Sequence, residues 1–381
     1  MVANLVDRFN DRYDFFVVTR NYDSRSNRVP FDVVKTNEWN THGGARVFYA
    51  ADDMWSRRFC KRLYDEIRPD IALLNSMFST PAVNFMLARW SGKAEFSPVV
   101  IAPCGNLSTA ALRNKSLRKR AFLLLAKAIG LYSKVIWKAS TSVEKKEIES
   151  CFGINASIMV APDLPGKEAV KPSGPDVRPQ KISGSVRLAF VARVVRIKNL
   201  LYLLQALDPV RTGVVYLTII GPVEDREYWQ KCLRLIGDLP PNITVEVTGG
   251  VSPSVVMEHL RRTHFLAHAT LNENFGYVVL ESLTVGTPVV LSDQVGWQGI
   301  DEMSAGFVLP LTDKNKWTET ILRCLEMHGT EFENMSRAAS EYARAFVDDP
   351  ALDEATENLL RTALHDGAKD GSLLGPSRSE I

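Results

Sequence analysis

From Leu188 onward the sequence alternates between short apolar runs and amphipathic periods with a regularity that few folds can satisfy. Leu188–Ala192, Val214–Ile220, Ile243–Val247 and Val289–Ser292 read as strands, being short and rich in β-branched and apolar residues. Helical periods lie between them, at about 198–208, 224–237, 253–262 and 276–285. Strand and helix in strict alternation is the habit of βαβ units, and it predicts a Rossmann-like, doubly wound α/β domain. Ligands of such a sheet bind in the crevice outside the carboxyl ends of the strands. Chemistry is therefore expected in the loops that follow these runs.

The first half carries the same signal more sparsely, at Phe15–Thr19, Ile71–Leu74 and Val99–Ala102. A chain of 381 residues exceeds what one hydrophobic core ordinarily spans, so two domains are expected. Between them, Lys167–Ser185 is rich in Pro, Gly, Ser and charge without a sustained period, as a linker would be. The predicted organisation is an N-terminal Rossmann-like domain over 1–166, a linker over 167–185 and a C-terminal domain over 186–346. A helix over 347–365 that can return to the N-terminal domain and a disordered polar tail over 366–381 complete it.

Composition narrows the function classes. Hydrophobic residues at 45% and charged residues at 24% describe a globular chain rather than a disordered or multispanning one. A formal charge of +2 does not mark a nucleic-acid binder. The five cysteines never form a C-x-x-C pair, so neither a disulfide framework nor a thiol zinc site is indicated, and a reducing cytoplasm is expected. No run is long enough to span a bilayer, and Met1–Asp7 lacks the basic-then-apolar order of a signal peptide, which places the chain on the cytoplasmic side. His259, His264 and His268 fall at intervals that cross from a helix into a strand, so no metal is expected, and Gly43-Gly44 reads as a turn. Residues 113–138 contain no acid at all. They read either as a basic amphipathic helix lying on anionic lipid, or as a helix packed by its Leu face and solvated by its Lys face.

Two segments carry chemistry. In Leu188-Ala-Phe-Val-Ala-Arg193-Val-Val-Arg196-Ile-Lys198 a buried strand runs directly into cations, and Arg193 and Lys198 are placed to meet a diphosphate. A solvated loop is the other reading of that spacing, and for Arg196 the preferred one. In Glu273-Asn-Phe-Gly-Tyr-Val-Val-Leu-Glu281 a helix begins near Gly276, where close backbone approach and the unpaired N–H groups of a first turn make an anion site. Glu273 on the loop and Glu281 on the second turn flank that site, each with two acceptor oxygens for sugar hydroxyls. As alternatives, Glu273 is a surface acid capping the helix and Glu281 an exposed helical residue, although the apolar neighbours of Glu281 speak against the latter.

Arg193-x4-Lys198, followed by Glu273-x-Phe-Gly-x4-Glu281 and Gly286-Thr-Pro288-Val-Val, resembles the C-terminal domain of retaining glycosyltransferases of family 4 (glycosyltransferase group 1) with the GT-B fold. The resemblance is strong over 183–312. It extends more weakly through Pro103–Ser108 and Ala139–Glu147, which look like the acceptor-domain loop and a following helix in enzymes of surface-polysaccharide synthesis. It implies two Rossmann-like domains facing a cleft, with 1–166 binding the acceptor and 186–346 a UDP- or GDP-type nucleotide-diphosphate sugar. It further implies that Arg193 and Lys198 bind the diphosphate and stabilise it as it leaves, that Glu281 holds the ribose hydroxyls, and that Glu273 binds hydroxyls of the donor sugar. Asn274, Phe275, Gly276 and Tyr277 would lie along the sugar and phosphate, with Gly221 and Val251 near the base.

The implied reaction is retaining transfer to a glycan or lipid-linked acceptor, without cofactor or metal, and the sequence contains no Asp-x-Asp motif. Some positions depart from the family pattern: Ala192 stands where Gly is usual, and Tyr277 and Lys138 where His is common. The chain also opens on what reads as the helix after the family's first strand, so the N-terminal domain is expected to lack that strand and its Gly-rich loop. The alternatives are an inactive or truncated membrane-associated nucleotide-binding protein, a nucleotide-sugar 2-epimerase and a pyridoxal-phosphate phosphorylase.

Overall fold

The computed structural model describes residues 1–22, 28–92, 96–108, 111–112, 116–166 and 178–369. The start of the expected linker (167–177), the expected tail from 370, and Arg113–Lys115 of the basic run lie outside the described residues. The chain divides into two compact units, Met1–Gly166 with Pro350–Ile381, and Lys167–Asp349.

The first unit contains two sheets. In one, β1 (Phe15–Arg20) runs parallel to β3 (Ala45–Ala50), which pairs antiparallel with β2 (Trp39–His42). In the other, β4 (Ala72–Asn75), β5 (Val99–Ala102), β6 (Val135–Ala139) and β7 (Ile158–Val160) are parallel in that order. Alternation along the buried strands feeds two cores. Val99, Ile101 and Trp137 pack on Met77, Met86 and Ile148 on one face. On the other, Val100 and Ile136 meet Leu359 and Ala363 of the C-terminal helix Pro350–Lys369. That helix is also held by Arg8–Asp353 at 2.8 Å and Arg12–Glu357 at 2.6 Å. It continues through Lys369, past the point at which the sequence reading begins a disordered tail.

The second unit is one parallel six-stranded sheet in the order β10-β9-β8-β11-β12-β13. Its strands are β8 (Ser185–Val191), β9 (Val214–Ile220), β10 (Ile243–Gly249), β11 (Phe265–His268), β12 (Val289–Ser292) and β13 (Gly306–Leu309). Leu188, Phe190 and Leu217 point to one face and bury Leu200, Leu203 and Leu207 of helix Leu200–Leu207. Ala189, Leu266 and Leu291 point to the other and bury Leu280 and Leu283 of helix Tyr277–Thr284, with Ala339 and Ala343 of helix Gly329–Val347 behind them. The later part of the expected linker is docked here. The Arg178 guanidinium meets the carbonyls of Val285 and Gly286. The buried Lys181 ammonium donates to the carbonyls of Leu325 at 3.1 Å and Met327 at 2.9 Å, where a cation complements the end of helix Lys314–Glu326. No helix among the described residues is long and apolar enough to cross a membrane.

One core residue gives this unit a pH dependence. The His264 ring is buried, accepts the Arg187 N–H on Nδ1 at 3.0 Å, and has Nε2 3.1 Å from the Pro179 carbonyl. Burial lowers its pKa to about 4 from an ordinary 6.5. Between those values the unfolded chain binds the proton and the folded one does not, so this stability is complete above pH 6.5 and is lost as pH falls towards 4. The span corresponds to about 3 kcal/mol. Denaturant unfolding followed across that window should show the decline, and His264→Gln should flatten it.

Candidate active site

β8 and β11 are hydrogen-bonded neighbours, and the strand order reverses there, since β9 and β10 lie beyond β8 while β12 and β13 lie beyond β11. The loops leaving these two strands therefore open side by side at the topological switch point, where doubly wound sheets bind ligands. They are tied together by Leu271 N–H to the Ile197 carbonyl at 2.8 Å, Thr270 Oγ1 to the same carbonyl at 3.0 Å, and Asn199 Nδ2 to the Ala269 carbonyl at 2.9 Å. Asn199 adopts a left-handed conformation (φ 58°) that turns the first loop into its helix.

This union brings Lys198 to Glu273. Lys198 Nζ lies 2.5 Å from Glu273 Oε2, and His268 Nε2, at the end of β11, lies 2.9 Å from the same oxygen. Burial alone would raise the Glu273 pKa, but the His268 hydrogen bond and the Lys198 charge outweigh it and bring it down to about 2. Glu281, on helix Tyr277–Thr284, is different. Burial raises its pKa, and no described residue offers it a hydrogen bond or opposite charge. A half-buried carboxylate without partners is poised to accept hydroxyls from a ligand.

Gly276 supplies the turn between the two carboxylates. It is left-handed (φ 78°), no side chain caps the helix it starts, and a Cβ there would stand 3.0 Å from Glu273 Cγ. Phe275 belongs to the core: its ring packs on Trp297 at 5.1 Å and its carbonyl accepts Trp297 Nε1 at 2.6 Å. Tyr277 packs on the same Phe275 ring at 4.8 Å.

The remaining predicted residues spread along the same edge of the sheet. Arg193, more than half exposed, has NH1 2.6 Å from Glu224 Oε2. Arg196 pairs with Asp225 at 3.1 Å and Glu227 at 3.3 Å in solvent. Gly221 (φ 142°) is demanded by packing, since a Cβ there would stand 2.0 Å from the Ala192 carbonyl oxygen. Val251 follows β10, two strands from β8. Lys198, Glu273 and His268 thus form one bonded cluster, while Arg193 keeps a separate ion pair. His268 and Glu224 were not among the predicted site residues. The available signal was a His closing a strand shortly before Glu273, and an acid following Gly221-Pro222.

In the first unit the acceptor-like loop is also fixed by a carboxylate. Glu144 accepts the N–H groups of Gly105 at 2.7 Å and Ser140 at 2.8 Å. Lys138, where the family resemblance has His, is buried in an ion pair with Asp163 at 2.7 Å. No cluster of three or more His, Cys, Asp or Glu able to hold a metal occurs among the described residues.

The α/β architecture matches solved structures of the GT-B fold, and part of the chain matches a glycosyltransferase domain. Residues 185–327 match the family model described as "Glycosyl transferases group 1". Among solved structures the chain is similar to HepE of Anabaena, determined in complex with UDP and glucose (16% identity, 95% of each chain covered, TM-score 0.66). It is also similar to sucrose-phosphate synthase of Thermosynechococcus elongatus (16%, 94% of this chain and 91% of that one, 0.67). A third similar structure is the trehalose 6-phosphate synthase of Burkholderia multivorans (14%, 97% and 100%, 0.65). No curated protein matches the sequence.

Proposed function

We propose that the protein transfers a glycosyl group from a nucleotide-diphosphate sugar, of UDP or GDP type, to a glycan or lipid-linked acceptor, retaining anomeric configuration and using no divalent cation. The observation that carries this reading is the Lys198–Glu273 pair at the switch point of the group 1 domain, beside the uncapped helix start at Gly276. The solved structures of HepE with UDP and with UDP-glucose support the choice of donor.

In the proposed reaction the bond between the anomeric carbon and the diphosphate oxygen breaks, and its electron pair departs with the diphosphate. An acceptor hydroxyl oxygen bonds the same face of that carbon, and its proton passes to a diphosphate oxygen. Arg193, Lys198 and the N-terminus of helix Tyr277–Thr284 offset the growing charge, as preorganised donors in place of a metal. Glu273 holds donor-sugar hydroxyls and is not a nucleophile. Asn274, Phe275, Gly276 and Tyr277 line the sugar and phosphate through the chain segment they share, and Gly221 and Val251 stand towards the base. Glu281 receives the ribose hydroxyls. Glu281→Ala should therefore weaken UDP by about 10-fold and leave 2′,3′-dideoxy-UDP nearly unaffected, a ratio readable by calorimetry. Equal losses for both would remove Glu281 from the ribose. Transfer of labelled sugar to isolated lipid-linked acceptors in the presence of EDTA tests the reaction as a whole.

The acceptor is proposed to be met at the inner face of the cytoplasmic membrane. Helix Ser116–Ala128 leaves Leu117, Leu124 and Leu125 exposed at 83%, 70% and 62%. Arg118, Arg120 and Lys127 flank them, and the exposed Trp90 is hydrogen-bonded to the Ile129 carbonyl just beyond. Apolar side chains ringed by cations suit an anionic lipid surface. The protein should sediment with phosphatidylglycerol vesicles and not with phosphatidylcholine ones, and changing the three leucines to Ser should release it. Absence of binding to either vesicle would remove the proposed membrane contact.

A further inference from the structure

We infer that His268 is a positioning residue of the donor site: by donating from Nε2 to Oε2 of Glu273, it fixes which carboxylate oxygen is turned towards the donor sugar. The inference rests on the proposed reading of Glu273 as the residue that holds the sugar hydroxyls.

The geometry separates the two oxygens of Glu273. Oε2 takes both internal donors, Lys198 Nζ at 2.5 Å and His268 Nε2 at 2.9 Å, while Oε1 accepts nothing from the described residues. A carboxylate held by one flexible ammonium can pivot about its last torsion. Two donors reaching one oxygen from different elements, one on the loop after β8 and one within β11, remove that freedom. Oε1 is left as the oxygen available to a ligand.

Of the two donors, His268 has no second duty. Lys198 is proposed to serve the diphosphate as well, and an ammonium shared between a carboxylate and a phosphate holds each less tightly. His268 cannot be shared in this way, because its side chain is only 1% exposed and lies in β11, all four of whose residues are buried. Its ring sits against Phe190, with centroids 6.5 Å apart.

The tautomer follows from the partners. His268 Nδ1 is buried and has no hydrogen-bond partner among the described residues. A proton on Nδ1 would have no acceptor, and a bare Nε2 would set one lone pair against another at Glu273 Oε2. Nε2–H donating and Nδ1 bare is the arrangement that satisfies the contact. An apolar residue would fill this end of β11 equally well but would donate nothing to Glu273, and this distinguishes a positioning role from simple packing.

The test compares His268→Leu with His268→Gln, whose side-chain amide reaches about as far as Nε2 and can donate in its place. For the UDP- or GDP-sugar that the wild type uses fastest, His268→Leu should lower kcat/KM by about 10- to 100-fold, the worth of a hydrogen bond to a charged group, and His268→Gln should recover most of it. Affinity for the free nucleoside diphosphate should stay near wild type in both, because it does not report on Glu273 Oε1, and both variants should remain folded by circular dichroism. Ring 15N shifts of His268 in the wild type should show the Nε2–H form. Wild-type kcat/KM in His268→Leu overturns the inference alone. A loss of diphosphate affinity equal to the loss of transfer, or the Nδ1–H form, overturns it as well. A wild type that turns over no nucleotide sugar would instead remove the donor reading on which it rests.

Discussion

Lys198→Ala is expected to lower sugar transfer by about 100-fold or more while the chain stays folded, the usual cost of removing one preorganised donor from a developing anion. Lys198 is placed to act on two groups: its ammonium holds Glu273 at 2.5 Å, and it stands beside the uncapped start of helix Tyr277–Thr284. Arginine is not expected to substitute, because a planar fork cannot reproduce a compact point charge at that distance. The pH profile should change with the rate. In the wild type Glu273, at about 2, is ionised throughout the working range. Without the ammonium its pKa rises, so the acid limb of kcat/KM against pH should move upward. Near wild-type turnover with an unmoved acid limb would take Lys198 out of the site.

The largest structural effect is expected at Gly221. An alanine Cβ there would stand 2.0 Å from the Ala192 carbonyl oxygen and 2.6 Å from its carbon, at a φ of 142° that side-chain-bearing residues rarely adopt. These neighbours are backbone at the exit of β8, so relief requires moving the loop that carries Arg193 and Lys198. Gly221→Ala should destabilise the C-terminal unit by about 3 kcal/mol, towards the upper end for overpacking, and weaken nucleotide binding with it. Gly237→Ala makes the useful contrast, because helix Arg226–Asp238 leaves open space there. It should be neutral or stabilise by up to about 1 kcal/mol. Denaturant midpoints of the two variants measure both effects.

Strands set off by turn residues were legible because their apolar runs coincide with what the backbone does: Val214–Ile220 and Val289–Ser292 occupy the bounds read from sequence. β11 was read only as a strand that His268 enters, without bounds, although it leads to Glu273. Phe-Leu-Ala-His lacks the Gly-Thr-Pro signal that sets off the equally short Val289–Ser292, so nothing in the sequence separates it from the end of the preceding helix. The proposed site residues could be named from the sequence, but their pairing could not. That Lys198 meets Glu273, 75 positions away, depends on β8 lying next to β11, and strand order is decided by packing across the whole sheet. For the same reason the two cations looked equivalent in the sequence. In the structure Arg193 is an exposed residue on Glu224, while Lys198 is a partly buried partner of Glu273. The docked part of the expected linker shows the converse. Its polar composition concealed that Arg178 and Lys181 find their acceptors at the carboxyl ends of two helices.

Binding of UDP and GDP to the full chain in EDTA, by calorimetry of the wild type beside Lys198→Ala, tests the central claim most directly. Saturable binding of one of the two nucleotides by the wild type without metal is expected, weakened about 10-fold or more in the variant. A wild type that binds neither nucleotide, or a variant that binds as tightly as the wild type, would contradict it.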